Sequence, residues 1–275
     1  MRFGFVTCVQ LGLSCMEEIY AVGGHLDLVI TLPDSAARTK SGRVYVDSFC
    51  ETHGIDLVKS PNVNDAAVLD AIRAHEIDWL FIIGWSQIAR REVLNAPQRG
   101  VLGMHPTLLP IGRGRAAIPW TILLGLEESG VTLFKLDEGV DTGPIVSQAR
   151  ISVDPRETAT TLYKKVNQAH RTLIQDTWPR LASDQVDLRI QDDSLATVWA
   201  GRRPEDGAIS PEMSAEEVDR LVRAVTHPYP GAFVDLDGER LRIWRGEPKA
   251  IEDGRDIPVA SGVYTALDSA SEPPV

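Results

Sequence analysis

The stretch Asn64-Asp-Ala-Ala-Val-Leu-Asp-Ala-Ile-Arg73, followed by Asp78-Trp-Leu-Phe-Ile-Ile-Gly84, decides the fold class. The first part has the apolar spacing of an amphipathic helix with Asn64 as its N-cap, and the second is a continuously apolar strand. Strands that are apolar throughout are buried on both faces, which is typical of a parallel sheet covered by helices. The sequence therefore predicts an α/β fold with a Rossmann-like, mostly parallel sheet and helices on both faces.

The same alternation of strand and helix patterns continues on both sides of this stretch. It predicts strands at Phe3–Val9, Leu26–Leu32, Gly100–His105 and Val131–Leu136, and helices at Ser14–Val22, Val44–His53, Pro119–Leu126 and Thr158–Leu181. Polar residues 33–43 predict a mobile loop. The turn after the first strand, Gln10-Leu-Gly-Leu-Ser14, contains one glycine, so the GxGxxG fingerprint of nicotinamide enzymes is absent.

A change of composition near Ala182 predicts more than one domain. We expect a first domain over residues 1–182, a linker over 183–213, a small C-terminal β-rich subdomain over 214–265 and a frayed tail over 266–275. Within the subdomain, Ser214 and Glu217 form a capping box that starts a helix over Ala215–Val225. The turn Asp235-Leu-Asp-Gly238 predicts a hairpin.

Composition narrows the class of protein. The 275 residues carry a net charge of −11, which argues against a nucleic acid as the main partner because binding phosphates requires a surplus of cations. Three cysteines without a CxxC pair predict buried or incidental thiols, and no metal site is expected. The longest apolar run, Ile77–Trp85, is about half a membrane span and contains Asp78. We expect a cytoplasmic protein with no membrane partner.

The chemistry is expected where strands of the sheet end. In an open parallel sheet, ligands bind at the carboxyl ends of strands, which directs attention to the loops after Ile82, Met104 and Leu136. His105 stands at such an end, although a lone histidine is more often structural. Asp141 lies in a turn-rich segment where aspartate is usually a turn former. We expect this turn to emerge at the same edge of the sheet as His105, which makes possible a pair suited to general acid–base catalysis.

The loop Gly112-Arg-Gly-Arg115 joins this region to the next helix. Guanidinium groups match the oxygens of pyrophosphate or carboxylate bidentately, so Arg113 and Arg115 fit an anionic substrate. A solvated loop is the alternative interpretation. Trp120, in the helix that follows, is predicted to lie in the core.

At this point the residues resemble a known family. His105-Pro-Thr-Leu-Leu-Pro110, together with Asp137-Glu-Gly-Val-Asp-Thr-Gly143, looks like the formyltransferases that use N10-formyltetrahydrofolate. Members act on glycinamide ribonucleotide, on methionyl-tRNA or on the amino group of nucleotide-linked sugars. The resemblance covers about residues 1–182, which it identifies as a catalytic domain, and continues through Arg202-Arg-Pro-Glu-Asp-Gly207 and Leu221–Phe233.

The resemblance implies a set of site residues. His105 and Asp141 correspond to the family's catalytic histidine and aspartate, and N10-formyltetrahydrofolate is implied as formyl donor. The loops that hold the donor in the family match Gly84–Arg90 and Glu138–Val140. The implied donor-binding residues are Trp85, Ser86, Gln87, Ile88, Glu138, Gly139 and Val140, and the expected substrate-binding residues are Thr107, Gly112, Arg113 and Arg115.

One position departs from the family pattern. The family motif is Asn-x-His, and Gly103 stands where the asparagine is expected. That asparagine is taken to bind the formyl oxygen as negative charge develops, and losing one such donor reduces rates by about 10²–10³ in other enzymes. A substitute donor is the interpretation we favour, with a backbone N–H, Ser86, Gln87 or Thr107 as the options. A slow enzyme and a catalytically silent ligand-binding homologue are the alternatives.

The implied reaction is acyl transfer to an amine. Gly112–Trp120 looks more like the sugar branch than the tRNA branch, and the acidic charge balance agrees with this choice. We therefore predict N-formylation of a nucleotide-linked amino sugar, in surface polysaccharide (O-antigen) biosynthesis. Methionyl-tRNA formyltransferase is the alternative within enzymes. Exposed β-edges in the C-terminal part predict a homodimer.

Overall fold

The computed structural model describes residues 1–39, 42–236, 238–249 and 254–272. The chain divides into two compact units, and each unit consists of three separate segments of the chain. The first unit comprises Met1–Arg113, Gly130–Ile151 and Val166–Val198. The second comprises Gly114–Ser129, Ser152–Lys165 and the described part of Trp199–Val275.

The described residues form seven α-helices and thirteen strands. The helices are α1 (Gln10–Ala21), α2 (Asp47–His53), α3 (Ala66–Ala74), α4 (Arg91–Leu94), α5 (Ala117–Leu123), α6 (Ala159–Ala182) and α7 (Ala215–Val225). The strands are β1 (Phe3–Val6), β2 (Leu28–Thr31), β3 (Asp56–Lys59), β4 (Trp79–Ile82), β5 (Gly100–His105), β6 (Arg113–Gly114), β7 (Glu128–Lys135), β8 (Ile145–Ser152), β9 (Val198–Trp199), β10 (Ala232–Leu236), β11 (Glu239–Glu247), β12 (Arg255–Val259) and β13 (Gly262–Glu272). Short 3₁₀ helices cover Asp34–Thr39, Asp193–Leu195 and Pro204–Gly207.

The core of the first unit is a seven-stranded sheet in the order β3-β2-β1-β4-β5-β7-β8. Strands β1 to β5 pair in parallel throughout. Every residue of β1, β2 and β4 is buried, which is the pattern expected for strands covered on both faces. The predicted α/β fold with a mostly parallel sheet is confirmed.

Strand β7 runs against the direction assumed from the sequence. It is antiparallel to β5, with Lys135 opposite Leu102 and Thr132 opposite His105. The carboxyl end of β7 therefore lies beside the amino end of β5, and the expectation that the next loop emerges at the edge where His105 lies is wrong. An apolar strand has the same pattern in either direction, so periodicity could not reveal this reversal.

Several element boundaries differ from the sequence prediction. The first strand ends at Val6, and α1 begins at Gln10 instead of Ser14. Strand β3 was not predicted, and a 3₁₀ helix occupies Asp34–Thr39 within the predicted mobile loop. Residues 40 and 41 of that loop lie outside the described residues.

Asn64 does not cap α3. The N-cap position belongs to Asp65, whose side chain makes no capping hydrogen bond and accepts one from the Ser60 hydroxyl instead (2.5 Å). The Asn64 side chain binds the loop after β4, since its Oδ1 accepts from the Arg90 N–H at 2.7 Å. An asparagine before a helix fits the sequence pattern of a cap, but here tertiary partners take both of its polar groups.

The second unit contains the antiparallel sheet β10-β11-β13-β12, which confirms the small β-rich C-terminal part. Helix α7 begins at the predicted capping box, where Ser214 Oγ accepts from the Glu217 N–H and the Glu217 carboxylate accepts from the Ser214 N–H. The second bond holds the pKa of Glu217 below its ordinary value. The hairpin is also found, with Leu236 opposite Glu239, while its residue 237 lies outside the described part.

Three further expectations differ from the structure. Residues 183–198, expected in a linker, belong to the first unit, where Arg189 exchanges backbone hydrogen bonds with Ile145. Strand β13 extends to Glu272, through most of the expected frayed tail, and residues 273–275 are outside the described part. Trp120 is half-exposed instead of buried in the core, and its Nε1 donates to the Ala200 carbonyl.

Two remaining features concern the cysteines and the membrane. Cys8, Cys15 and Cys50 are buried thiols, as predicted. Within the described ranges, no helix is both long enough and apolar enough to cross a bilayer.

Candidate active site

His105 ends β5 and is almost fully buried in the first unit. Its Nε2 lies 2.7 Å from the carbonyl oxygen of Gly112. A carbonyl can only accept, so Nε2 carries a proton and donates it to this bond. The tautomer of the neutral ring is thereby fixed, and Nδ1 is the ring nitrogen left to exchange a proton.

Asp141 faces that second nitrogen. Its Oδ2 lies 3.6 Å from His105 Nδ1, although the loop that carries it starts beside the amino end of β5. The loop brings Asp141 back to the carboxyl end of β5, and Asp141 adopts a left-handed backbone conformation (φ 55°), which aspartate tolerates better than most residues. The structure thus brings together the two predicted catalytic residues, and the carboxylate is placed to stabilise a positive charge on the ring.

Gly103 lies two residues before the histidine, between β4 and β7. It stands opposite Ile82 on one side and Phe134 on the other. A Cβ atom added here would lie 2.7 Å from Cδ2 and 3.3 Å from Cγ of Leu136. An apolar side chain therefore fills the space into which the family's asparagine would extend.

The predicted donor loop after β4 is held by residues 61–64. Gln87 Oε1 accepts from the Val63 N–H (2.9 Å) and from Trp85 Nε1 (3.2 Å), and its Nε2 donates to the Pro61 carbonyl (2.7 Å). The Gln87 amide thus serves the loop itself, which argues against its use as the substitute oxyanion donor. Asn64 Nδ2 also donates to the Ile88 carbonyl (3.0 Å) and so helps to hold the loop. This contact was missed by the sequence analysis, which interpreted Asn64 as a helix cap.

The two predicted donor loops present apolar side chains to solvent. Ile88 is 77% exposed and Val140 is 58% exposed, which is unusual for branched aliphatic residues. An ion pair between Arg91 and Glu138 (3.4 Å) joins the two loops at their ends. Beside this pair lies a cavity of about 380 Å³, whose lining includes Leu94, Asn95, Gly100, Leu136 and Glu138.

Thr107 does not occupy the position expected of a substrate-binding residue. It is only 2% exposed, and its hydroxyl is closed off from solvent with no hydrogen-bond partner among the described residues. A group without accessible surface cannot contact a ligand in this conformation. This burial argues against both the substrate contact and the oxyanion donation expected of Thr107.

The two arginines of the predicted anion loop have different surroundings. Arg113 is buried in the first unit, where its Nε and Nη2 donate to Gln191 Oε1 (3.1 and 2.8 Å) and Nη2 also reaches Asp193 (2.6 Å). These bonds commit Nε and Nη2 to protein groups, which argues against the expected contact of Arg113 with substrate phosphate. Arg115 belongs to the second unit and is exposed.

A second histidine was missed by the sequence analysis. His170, on α6, is 1% exposed and its Nδ1 donates to the Val166 carbonyl at 2.8 Å. Burial lowers the pKa of His170 to about 4, and the charge of His105 acts in the same direction. The spacing of the apolar residues on α6 could have identified this position as buried, but nothing in the sequence related it to His105.

Comparison with known proteins identifies the family. Residues 16–177 match the formyl transferase family model, and residues 202–267 match the model of the formyl transferase C-terminal domain. The chain belongs to the formyl transferase family. The predicted family and the predicted class, a formyl-transferring enzyme, are both confirmed.

Relatives of this formyl transferase include members with different acceptors. Methionyl-tRNA formyltransferase of Lachnospira eligens is 29% identical over 276 residues, covering 96% of this chain and 87% of the relative. The crystal structure of the N-formyltransferase of Helicobacter canadensis, in complex with folinic acid and dTDP-3-aminofucose, superposes with a TM-score of 0.73 and 17% identity over 98% of this chain and all of the other. The structure of the methionyl-tRNA formyltransferase from Clostridium thermocellum superposes with a TM-score of 0.67 and 18% identity over the full length of both chains. These structural likenesses show the fold of the formyl transferase and leave its acceptor open.

Proposed function

We propose that this formyl transferase moves a formyl group to the amine of a nucleotide-linked amino sugar, with His105 and Asp141 as its catalytic pair. The observation that carries the proposal is the geometry of the pair. The Gly112 carbonyl fixes the proton on Nε2 of His105, and Asp141 faces Nδ1 at 3.6 Å. Catalytic contacts are often long in the free enzyme and shorten when the substrate binds.

The formyl donor is N10-formyltetrahydrofolate, which supplies the formyl group from its N10 nitrogen. The residues present fit a flat, partly polar ring system of this kind. The exposed side chains of Ile88 and Val140 would cover the apolar faces of the ring.

His105 acts through Nδ1, the nitrogen that the Gly112 carbonyl leaves open. This nitrogen takes the proton that the attacking amine loses as its nitrogen bonds to the formyl carbon. Asp141 stabilises the imidazolium so formed and keeps the ring oriented. The proton then passes from Nδ1 to the departing nitrogen.

The developing oxyanion needs a donor other than a side chain at position 103. Gln87 is committed to its loop, Thr107 is closed off from solvent, and the backbone of Gly103 lies in a strand with neighbours on both sides. Ser86 is the exposed hydroxyl of the donor loop. Ser86 and a backbone N–H outside β5 stay as the two candidate donors.

The acceptor assignment rests on charge and on the anion loop. The net charge of −11 disfavours a polyanionic acceptor such as tRNA, and the exposed Arg115 offers a guanidinium for a diphosphate. The fold likeness to a sugar N-formyltransferase agrees with this assignment. Methionyl-tRNA is the second candidate acceptor, because a methionyl-tRNA formyltransferase aligns over 96% of the chain.

The test is an acceptor panel followed by mass spectrometry. Purified protein is incubated with N10-formyltetrahydrofolate and nucleotide-linked amino sugars, beginning with dTDP-3-aminofucose, and in parallel with methionyl-tRNA. A product heavier by one formyl group in the sugar arm, absent with His105→Asn, supports the proposal. Formylation of methionyl-tRNA alone transfers the assignment to the second candidate. Folinic acid binding without any formylated product would identify a silent ligand-binding homologue.

The same proposal includes a setting for the reaction. With this acceptor class we propose a cytoplasmic enzyme of surface polysaccharide biosynthesis, and the edge strand β12 supports the proposal of a homodimer. Light scattering of the purified chain measures the oligomeric state directly.

A further inference from the structure

Residues 189–197 of the first unit contact both halves of the catalytic site. Gln191 is 7% exposed and is bonded to the Asp141 loop, while Thr197 is bonded to the loop that carries Gly112. The sequence placed this segment in a linker, where no functional residue was expected. Its contacts are specific enough to define what each of the two side chains does.

The side-chain amide of Gln191 is fully used. Its Nε2 donates to the carbonyl of Asp141 at 2.8 Å and to the carbonyl of Gly143 at 2.7 Å. Its Oε1 accepts both hydrogen bonds from Arg113. Arginine can only donate and carbonyls can only accept, so the orientation of the amide is unambiguous.

These two bonds hold the turn on both sides of Thr142. Asp141 has a positive φ of 55°, a left-handed conformation that costs free energy in a non-glycine residue and that neighbouring contacts can hold in place. The bond from Gln191 to the Asp141 carbonyl provides this constraint in the main chain. The carboxylate of Asp141 is thereby directed towards His105 Nδ1, 3.6 Å away.

Thr197 provides the corresponding constraint on the histidine side. Its Oγ1 accepts from the Gly112 N–H at 2.8 Å, and its carbonyl accepts from the Arg113 N–H at 2.9 Å. The Gly112 carbonyl, on the same short loop, accepts from His105 Nε2 at 2.7 Å. The position of the carbonyl that fixes the histidine tautomer thus depends on Thr197.

We infer that Gln191 and Thr197 are positioning residues for formyl transfer: Gln191 sets Asp141 against His105, and Thr197 sets the carbonyl that selects the His105 tautomer. The inference rests on the proposed catalytic function of His105 and Asp141. Neither residue touches the reacting atoms. Their effect is on geometry, where a displacement of about 1 Å is enough to reduce a rate about 100-fold.

The main test is Gln191→Glu. A glutamate keeps the length of the side chain and still accepts from Arg113, but it cannot donate to the carbonyls of Asp141 and Gly143. We expect kcat to fall by about 10- to 100-fold while KM for donor and acceptor stays within about 2-fold. The acceptor for these measurements is the panel member that the wild-type enzyme formylates.

Gln148→Glu is the matched control. Gln148 also accepts from an arginine, Arg189, and also donates to a main-chain carbonyl, that of Leu109 (2.8 Å). It makes no described contact with His105 or Asp141. Gln148 is half-buried, and any loss that arises merely from replacing a glutamine bonded to an arginine and a carbonyl by glutamate appears in both variants, so the difference between them reports positioning.

A spectroscopic readout makes the result independent of activity. The ¹⁵N chemical shifts of the His105 ring, assigned with His105→Asn and recorded at one pH, report which nitrogens carry protons. We expect the shifts in Gln191→Glu to move towards those of Asp141→Asn, and those in Gln148→Glu to match wild type. If Gln191→Glu does not fold, Thr197→Val, which keeps the shape and removes Oγ1, is expected to change the Nε2 shift.

The outcomes separate this inference from the proposed function. Wild-type ring shifts in Gln191→Glu and Thr197→Val, or a kcat loss no larger than in Gln148→Glu, would overturn the positioning assignment. Absence of formyl transfer by the wild-type enzyme would overturn the proposed function alone, because the ring shifts still report the geometry of the pair.

Discussion

Leu136 occupies the space into which a side chain at Gly103 would extend: a Cβ atom there would lie 2.7 Å from Cδ2 of the leucine. The two positions are therefore complementary, one lacking a side chain and the other filling the gap. The contacting atoms are at the tip of the leucine, so the conflict depends on this one side chain. Replacing position 103 alone leaves that obstacle in place.

The first prediction is that Gly103→Asn by itself will not accelerate formyl transfer. The asparagine meets Leu136, and we expect a loss of stability of about 1–3 kcal/mol from overpacking. In the double variant Gly103→Asn with Leu136→Ala, the amide gains room to serve as an oxyanion donor. We expect kcat at least about tenfold above that of Leu136→Ala, because one such donor is worth about 10²–10³ elsewhere.

The control for this experiment is Gly103→Ala with Leu136→Ala, which fills the same space without an amide. Equal kcat in the two double variants would show that an amide at position 103 contributes nothing in this chain.

The second prediction separates Arg113 from Arg115. Arg113→Ala removes three hydrogen bonds of a buried cation, so we expect the free energy of unfolding to fall by roughly 2–4 kcal/mol. Arg115→Ala changes an exposed side chain and is expected to alter stability by less than about 0.5 kcal/mol while raising KM for the acceptor. Urea denaturation and steady-state kinetics measure the two effects. A stable Arg113→Ala protein would contradict the buried assignment.

The third prediction concerns the donor loops. Ile88 and Val140 are largely exposed, and we propose that the donor covers them. Ile88→Ser removes most of the apolar surface of this side chain. Full burial of such a side chain contributes roughly 1.5–3 kcal/mol to the free energy of binding. We expect the Kd for folinic acid, measured by titration calorimetry, to rise by about tenfold or more. Val22→Ser, at the end of α1, is the control, and an equal effect there would remove the loop from the donor site.

The fourth prediction is an acid-dependent loss of stability from His170. Burial lowers its pKa from 6.5 to about 4 in the folded chain. As pH falls from 7 to 5, the unfolded chain takes up a proton at this residue and the folded chain does not, so the free energy of unfolding decreases. The contribution of His170 to this decrease is about 2 kcal/mol.

Denaturation of His170→Gln at pH 7 and pH 5 measures this contribution, since the variant should lose correspondingly less stability over the interval. His75 provides a contrast of opposite sign, because its hydrogen bond to Asp56 raises its pKa and stabilises the folded chain at low pH. His75→Gln should therefore lose more stability than wild type between pH 7 and pH 5. Identical pH dependence in His170→Gln and wild type would show that His170 is not buried as a neutral ring.

Local sequence patterns predict the layers of the fold and the ends of some helices correctly. Continuous apolar strands such as β4 can be stable only when covered on both faces, so the parallel sheet followed from local pattern. The capping box of Ser214 and Glu217 involves four consecutive residues, and it formed where predicted. His105 and Asp141 were identified as a pair by motif, and the structure brings their side chains together.

Which polar groups remain available for chemistry depends on contacts between segments that are distant along the chain. Arg113 and Gln87 carry polar groups of the kind that bind ligands. These groups donate to partners far along the chain, Gln191 for Arg113 and Pro61 for Gln87. The direction of β7 and the contact of Leu136 with Gly103 depend on strand order, which local pattern does not encode. Local sequence specifies which polar groups a segment carries. Which of them are bonded within the protein depends on the folded chain, because buried polar groups form hydrogen bonds with the groups that the fold brings next to them.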